Sequence, residues 1–362
     1  MTSPNDVLAA VLHHHAGRFV GDGVHATDLE QILSRIRTWD DWFDAWAHRA
    51  NAYVAHAERA LGEGNSVTEG EWLWQGSLYY HYAQFLWFHD LERREDGQRR
   101  KVDLYRRAAA LLMPAAERVD IPFEGYRIPA YIRLPAIGRP PYACVVLLGG
   151  LESTKEESYH FENLCLRRGL ATCAFDGPGQ GEMVFQVRLR PDFERFTGAV
   201  VDYLRTREDI DAENLGVLGR SLGGYYAVRA ASLVPGFRAC VVWGALYDLE
   251  HWERIPPLTR RGFAYVSGYD DLNEAGDYLR KVINLAGVAE QLRCPLYILH
   301  GAQDDILPGT HVQRLQADTR HVEQAIIVEP SGNHCCHNIY PIVRPRMADW
   351  LAQQLLVEGG NR

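Results

Sequence analysis

From residue 119 onward the chain alternates short, unbroken apolar runs with longer stretches of helical spacing. The runs are ACVVLLGG, LATCAFD, LGVLGRS, ACVVWGA, PLYILHG and QAIIVEP. Apolar residues fill consecutive rather than alternate positions, so each strand must be covered on both faces, and the connections are long enough for crossover helices. Both features demand a mostly parallel sheet between helical layers. Two earlier runs, VDIPFEG and RIPAYIRLP, are separated only by a turn near Glu124 and Gly125 and read as an antiparallel hairpin. The expectation is an eight-stranded, mostly parallel sheet.

Residues 1–118 follow a different pattern. Apolar positions recur at helical spacing in LEQILSRI, WFDAWAHRANAYVAHAERAL and LYRRAAALLM, with almost no strand signal. Thr27 with Glu30 and Thr68 with Glu71 have capping-box spacing and place two helix starts. Four or five helices result. Trp39, Trp42, Trp46, Trp72, Trp74 and Trp87 fall here with Tyr79, Tyr80, Tyr82, Phe85 and Phe88, a density that suits a core and would also suit one wall of an apolar pocket. The run His13 to His15 lies within a helical pattern and reads as part of a helix face or end. The two grammars give an all-helical domain over 1–118 and a sheet domain over 119–362.

A net charge of −9 without a Lys/Arg block argues against nucleic acid and anionic membrane as partners, and a small-molecule substrate fits better. No window reaches eighteen consecutive apolar residues, and the first residues lack a basic region ahead of a long apolar run; a soluble cytoplasmic protein is expected. The seven cysteines lie mostly in apolar runs, as buried reduced thiols do. In Gly332-Asn333-His334-Cys335-Cys336-His337-Asn338 two histidines flank adjacent cysteines, a pair ill suited to close tetrahedrally on one ion, so no metal or other cofactor is expected.

The chemistry concentrates at strand ends. Gly219-Arg220-Ser221-Leu222-Gly223 follows an apolar strand and opens a helix, the GxSxG pattern whose flanking glycines let a serine sit on a tight turn. A serine hydroxyl needs a base and an orienting acid to become a nucleophile. After PLYILHG, Asp304 stands three residues beyond Gly301 and ahead of Ile306, Leu307 and Pro308, with Asp305 as the alternate acid. After QAIIVEP comes His334, placed for the base, while His337 falls in the first turn of the closing helix in a structural role. Leu148-Gly149-Gly150-Leu151-Glu152 ends an earlier strand, so the backbone N–H groups of Leu151 and Leu222 are candidate oxyanion donors. Glu152 is either a carboxylate near the site or a partner of the next helix N-terminus. Asp176-Gly177-Pro178-Gly179-Gln180-Gly181 lacks the lysine of a phosphate loop and reads as a rigid loop under the site.

With LGGLESTKEES, FDGPGQGEM, GRSLGGYYAVRAA, CPLYILHG, GNHCCHN and RPRMADWL in place, the sequence resembles the α/β hydrolases that carry an N-terminal helical domain. These are the FrsA-like esterases, the carbon–carbon hydrolases of nicotine breakdown and the fungal polyketide-shortening hydrolases. The resemblance implies an α/β hydrolase fold, a triad of Ser221, Asp304 and His334, a homodimer, and a site between the helical domain and the sheet. It also implies a further carboxylate after the sixth strand, for which Asp248, Glu250 and Glu253 are open candidates. The activity expected is hydrolysis of a carbon–carbon bond beside a ketone in an aryl-ketone or polyketide-like β-dicarbonyl. Rival readings are a carboxylesterase, thioesterase or amidase with the same triad, a cyclase, and a non-catalytic binding protein on this scaffold.

Overall fold

The computed structural model describes residues 4–356. The chain forms two compact units. One runs to Arg118 and also holds Glu156–His160; the other holds Val119–Lys155 and continues from Phe161.

The first unit is built on α1 (Pro4–Asp22), α2 (Ala26–Leu33), α3 (Trp42–Gly62), α4 (Ser66–Gln84) and α5 (Leu91–Ala109). Helix α4 is the central one: every residue from Leu73 to Gln84 is buried, as a helix enclosed on all sides requires. The aromatic stripe is its core. Phe19 packs edge-on to Tyr82 at 4.6 Å and to Trp46 at 5.5 Å between ring centres. Two of its polar tips find partners: Trp42 Nε1 donates to the Tyr82 carbonyl at 2.8 Å and the Tyr82 hydroxyl to Asp22 at 2.8 Å. Thr27 and Thr68, expected at helix starts, lie inside α2 and α4, whose N-caps are His25 and Asn65. The starts are set by positive-φ glycines just upstream, Gly23 at 116° and Gly64 at 77°. The reciprocal cap occurs instead at Thr38 and Asp41. A buried ionic cluster explains why Glu156–His160 belongs with these helices. Arg18 grips both oxygens of Glu157 at 3.0 and 2.7 Å, His81 Nε2 lies 2.6 Å from Glu157, and Lys101 Nζ lies 3.2 Å from Glu156. Burial, Lys101 and Arg18 hold the His81 ring well below its ordinary pKa.

The second unit contains the sheet. Its strands are β1 (Ala116–Phe123), β2 (Tyr126–Arg133), β3 (Tyr142–Leu148), β4 (Ala171–Phe175), β5 (Ile210–Arg220), β6 (Phe237–Trp243), β7 (Leu296–Gly301) and β8 (Gln324–Glu329). Their order across the sheet is β1-β2-β4-β3-β5-β6-β7-β8. Strand β2 meets β4 antiparallel, and pairing from β4 through β3 to β8 is parallel throughout. The hairpin of β1 and β2 turns at Glu124 and Gly125, both at positive φ. Crossovers carry α6 (Tyr159–Leu166), α7 (Phe193–Arg205), α8 (Leu222–Leu233), α9 (Pro257–Ser267), α10 (Leu272–Val282) and α11 (Thr310–Asp318), and α12 (Tyr340–Leu355) closes the fold. The pleat of β3 divides the core in two. Cys144, Val146 and Leu148 join Phe196, Val200 and Tyr226 on one face, while Ala143, Val145 and Leu147 join Phe161, Met347 and Leu351 on the other. That is why the strands read as unbroken apolar runs. Among the described residues no helix is long and apolar enough to cross a membrane.

Candidate active site

Ser221 sits between β5 and α8 at φ 57° and ψ −118°, a backbone conformation L-residues rarely adopt. It is held there from both sides: its N–H donates to the Trp243 carbonyl at 2.7 Å, and its carbonyl accepts from Gly224 N–H at 2.7 Å. Space for this turn exists only because its flanks lack side chains. A Cβ on Gly219 would stand 1.8 Å from the Gly223 carbonyl oxygen, and one on Gly223 would stand 2.2 Å from that of Leu148.

The histidine loop, which leaves the end of β8, reaches the serine at the end of β5. His334 Nε2 is 3.0 Å from Ser221 Oγ, and His334 Nδ1 is 2.8 Å from Asp304 Oδ2. The other carboxyl oxygen of Asp304 accepts N–H groups of Ile306 at 3.0 Å and Leu307 at 2.8 Å, so the acid is fixed by its own loop. The Asp304 side chain is wholly buried, whereas Asp305, next in sequence, is exposed. Burial opposes the charge on Asp304, but the facing imidazoles and these hydrogen bonds bring its carboxyl below the ordinary range. Burial likewise opposes the imidazolium form of His334, but the negative field of the facing Asp304 carboxylate outweighs it and raises the ring well above its ordinary pKa.

The loop after β3 lies against the serine. A Cβ on Gly150 would fall 3.2 Å from Ser221 Cβ and 2.6 Å from the Arg220 carbonyl oxygen. Ser153 N–H donates to the Gly150 carbonyl at 3.1 Å, closing a four-residue turn whose third residue, Glu152, has φ 60°. Leu222 is the first residue of α8, where an N–H has no partner within the helix. Leu151 N–H enters no hydrogen bond among the described residues. Glu152 itself is half-buried, its carboxylate against Gly262 of α9.

The three carboxylates after β6 are engaged with cations. Asp248 is buried, accepts Glu250 N–H at 3.0 Å and pairs closely with Arg314; Glu250 reaches the same Arg314 at 3.5 Å; Glu253 pairs with Arg280 at 2.6 Å and is exposed. His337 lies in a 3-10 turn, His334–Ile339, ahead of α12 rather than in its first turn, with its ring edge-on to Trp243 at 5.7 Å. The cause is the left-handed backbone of Cys335 and Cys336, at φ 55° and 50°, which delays the helix.

Two residues to which sequence reasoning gave no part in the chemistry, Cys335 and Trp243, sit beside the serine and histidine. Cys335 places Sγ 3.5 Å from His334 Nε2 and donates to the Trp243 carbonyl at 3.4 Å. Trp243 also receives Ser221 N–H on that carbonyl, and its indole N–H donates to the Cys335 carbonyl. A cysteine following a histidine carries no such signal in sequence; the reversed backbone alone brings its thiol back to the ring.

Comparison with known proteins gives this arrangement a family. The model described as "Esterase FrsA-like" matches residues 22–251, and that of the prolyl oligopeptidase family matches 193–357. A 2,6-dihydropseudooxynicotine hydrolase from Paenarthrobacter nicotinovorans is 45% identical over 94% of this chain and 91% of its own. Hydrolase acrC from Aspergillus aculeatus is 32% identical over 75% of this chain and 68% of its own. The crystal structure of a 2,6-dihydroxy-pseudo-oxynicotine hydrolase superposes with a TM-score of 0.89 at 44% identity, covering 94% of this chain and 96% of that one. The chain belongs to the FrsA-like family of α/β hydrolases.

Proposed function

We propose that this protein hydrolyses a carbon–carbon bond adjacent to a ketone, with Ser221 as nucleophile, His334 as base and acid, and Asp304 as the group that orients and charges His334. The observation that carries the reading is the continuous chain of contacts from Asp304 through both ring nitrogens of His334 to Ser221 Oγ, at 2.8 and 3.0 Å. In this scheme Ser221 Oγ attacks the ketone carbon as His334 takes its proton. The resulting alkoxide is met by the N–H groups of Leu151 and Leu222. Collapse breaks the carbon–carbon bond, its electron pair leaves with the departing carbon, and the His334 imidazolium delivers the proton there. Water, deprotonated by His334, then releases the acyl group as a carboxylic acid. The leaving carbon must be an enolate or an electron-rich ring, since a bare carbanion is far too basic for imidazolium to rescue. The name of the P. nicotinovorans relative supports an aryl-ketone substrate class, and Glu152, in the turn that carries Leu151, is the carboxylate we assign to substrate binding. We also propose a homodimer, which sedimentation would read as twice the chain's 41.1 kDa.

Turnover of aryl 1,3-diketones against p-nitrophenyl esters tests the reaction type. Cleavage of the diketones into acid and ketone, with a rapid-quench acyl adduct on Ser221, is expected. Fast ester hydrolysis with no action on diketones would place the protein with the esterases instead.

A further inference from the structure

The glycine pair Gly149 and Gly150 is required by space: a Cβ on Gly149 would stand 2.8 Å from Ser153 Cβ, and one on Gly150 would strike the Arg220 carbonyl. The same pair is a liability, because peptide planes flanked by glycine rotate at little cost. In a trans peptide the C=O and the following N–H point in opposite directions, so the direction of the Gly150 carbonyl fixes that of Leu151 N–H. Rotation of that plane would replace a donor by a carbonyl oxygen, which repels the developing oxyanion.

The loop Asp176-Gly177-Pro178-Gly179-Gln180-Gly181 supplies what restrains it. Gln180 is buried, at 6% exposure. Its Oε1 accepts Gly177 N–H at 3.1 Å, which settles the orientation of the amide, and its Nε2 donates to the carbonyl of Gly149 at 2.5 Å and that of Gly150 at 3.4 Å. The chain two residues past the end of that turn is tied to the same loop. Asp176 accepts Lys155 N–H at 2.9 Å and Lys155 Nζ at 2.8 Å, and Lys155 Nζ also reaches Glu182 at 2.6 Å. Glu182 N–H in turn donates to Asp176 at 3.0 Å. The start of the turn that carries Leu151, and the chain two residues past its end, are thereby both held by this loop.

We infer that Gln180 is a positioning residue for the oxyanion turn, holding the Gly149 and Gly150 carbonyls away from Ser221 so that Leu151 N–H faces the reacting carbonyl. The inference rests on the reading of Ser221 as nucleophile. It assigns a task to a loop that otherwise reads only as rigid scaffolding.

The test is the rate at which a fluorophosphonate labels Ser221, because the phosphoryl oxygen takes the oxyanion position. Gln180→Met keeps the length of the side chain and loses its donor; labelling should slow about tenfold or more, as small misplacements of catalytic groups do. Gln180→Glu keeps the shape and regains a donor only when its carboxyl is protonated. Its labelling rate relative to wild type should therefore climb as pH falls, a signature that a merely structural role would not produce and that survives should Gln180→Met fail to fold. Labelling of Gln180→Met within threefold of wild type, or a flat pH ratio for Gln180→Glu, overturns the inference. Ser221→Ala separates the two levels. If it is labelled like wild type, the nucleophile reading fails; if it is silent while both Gln180 variants label normally, only the role of Gln180 fails.

Discussion

The loops after β5, β7 and β8 and the segment after β6 all sit at the carboxyl end of one sheet, yet they use polar residues in opposite ways. At the first, Asp304, His334 and Ser221 are joined to one another in a line that runs from a buried carboxylate to a half-buried hydroxyl. At the second, Asp248, Glu250 and Glu253 are neutralised by Arg314 and Arg280. A carboxylate directed at a histidine tunes a proton carrier, whereas one directed at an arginine, which never gives up its proton, is confined to binding and structure. Carboxylates equally conspicuous in sequence thus differ in what they are able to do.

That contrast breaks most decisively at its reactive end. Ser221→Ala should lower turnover on the order of 10⁵-fold or more with the melting temperature nearly unchanged, because the attacking atom is removed and little packing is lost. Asp304→Asn comes next, with a loss on the order of 10³-fold to 10⁴-fold in kcat. It also carries a pH signature. His334 must be neutral to accept the serine proton, and its pKa lies well above the ordinary 6.5, so kcat/KM should rise with pH along a limb centred above 6.5. In Asp304→Asn the stabilising charge is gone and the limb should move to lower pH. A limb at the same place in both proteins would mean that another group titrates.

A smaller effect tests the frame of the turn rather than its chemistry. Gly219→Ala forces a Cβ to within 1.8 Å of a backbone oxygen, and chemical denaturation should report a loss of about 3 kcal/mol together with loss of activity. On the other side of the comparison, Asp248→Asn leaves Arg314 without its buried partner; that arginine is partly exposed, so the cost should be only about 1 to 2 kcal/mol, with kcat within a few-fold of wild type. Glu253→Gln, at an exposed pair, should change neither stability nor rate measurably. A large fall in kcat for Glu250→Gln or Glu253→Gln would erase the distinction between the two regions.

What could be read from the sequence follows the range of the determining contacts. Ser221 is specified within five residues by glycines that the turn demands, and Asp304 and His334 stand on loops that begin where apolar strands end. The fold class is legible for the same reason, since continuous apolar runs report two covered faces. Long-range pairing leaves no such trace. Asp248 meets an arginine 66 positions away, Glu253 one 27 positions away, and Glu157 is gripped by Arg18 across 139 positions. The helix starts expected at Thr27 and Thr68 illustrate the local limit: the upstream glycines took precedence over a plausible cap. Cys335 reaches His334 Nε2 only through a left-handed backbone that no pattern of residue types encodes.

The central claim is that Ser221 is the nucleophile activated by His334 and Asp304. Mass spectrometry of the protein after brief treatment with a fluorophosphonate tests it without knowledge of the substrate. The account predicts one adduct per chain, located on the peptide that contains Ser221, absent in Ser221→Ala and formed far more slowly in Asp304→Asn. An unlabelled wild-type protein, or an adduct on any other residue, would contradict it.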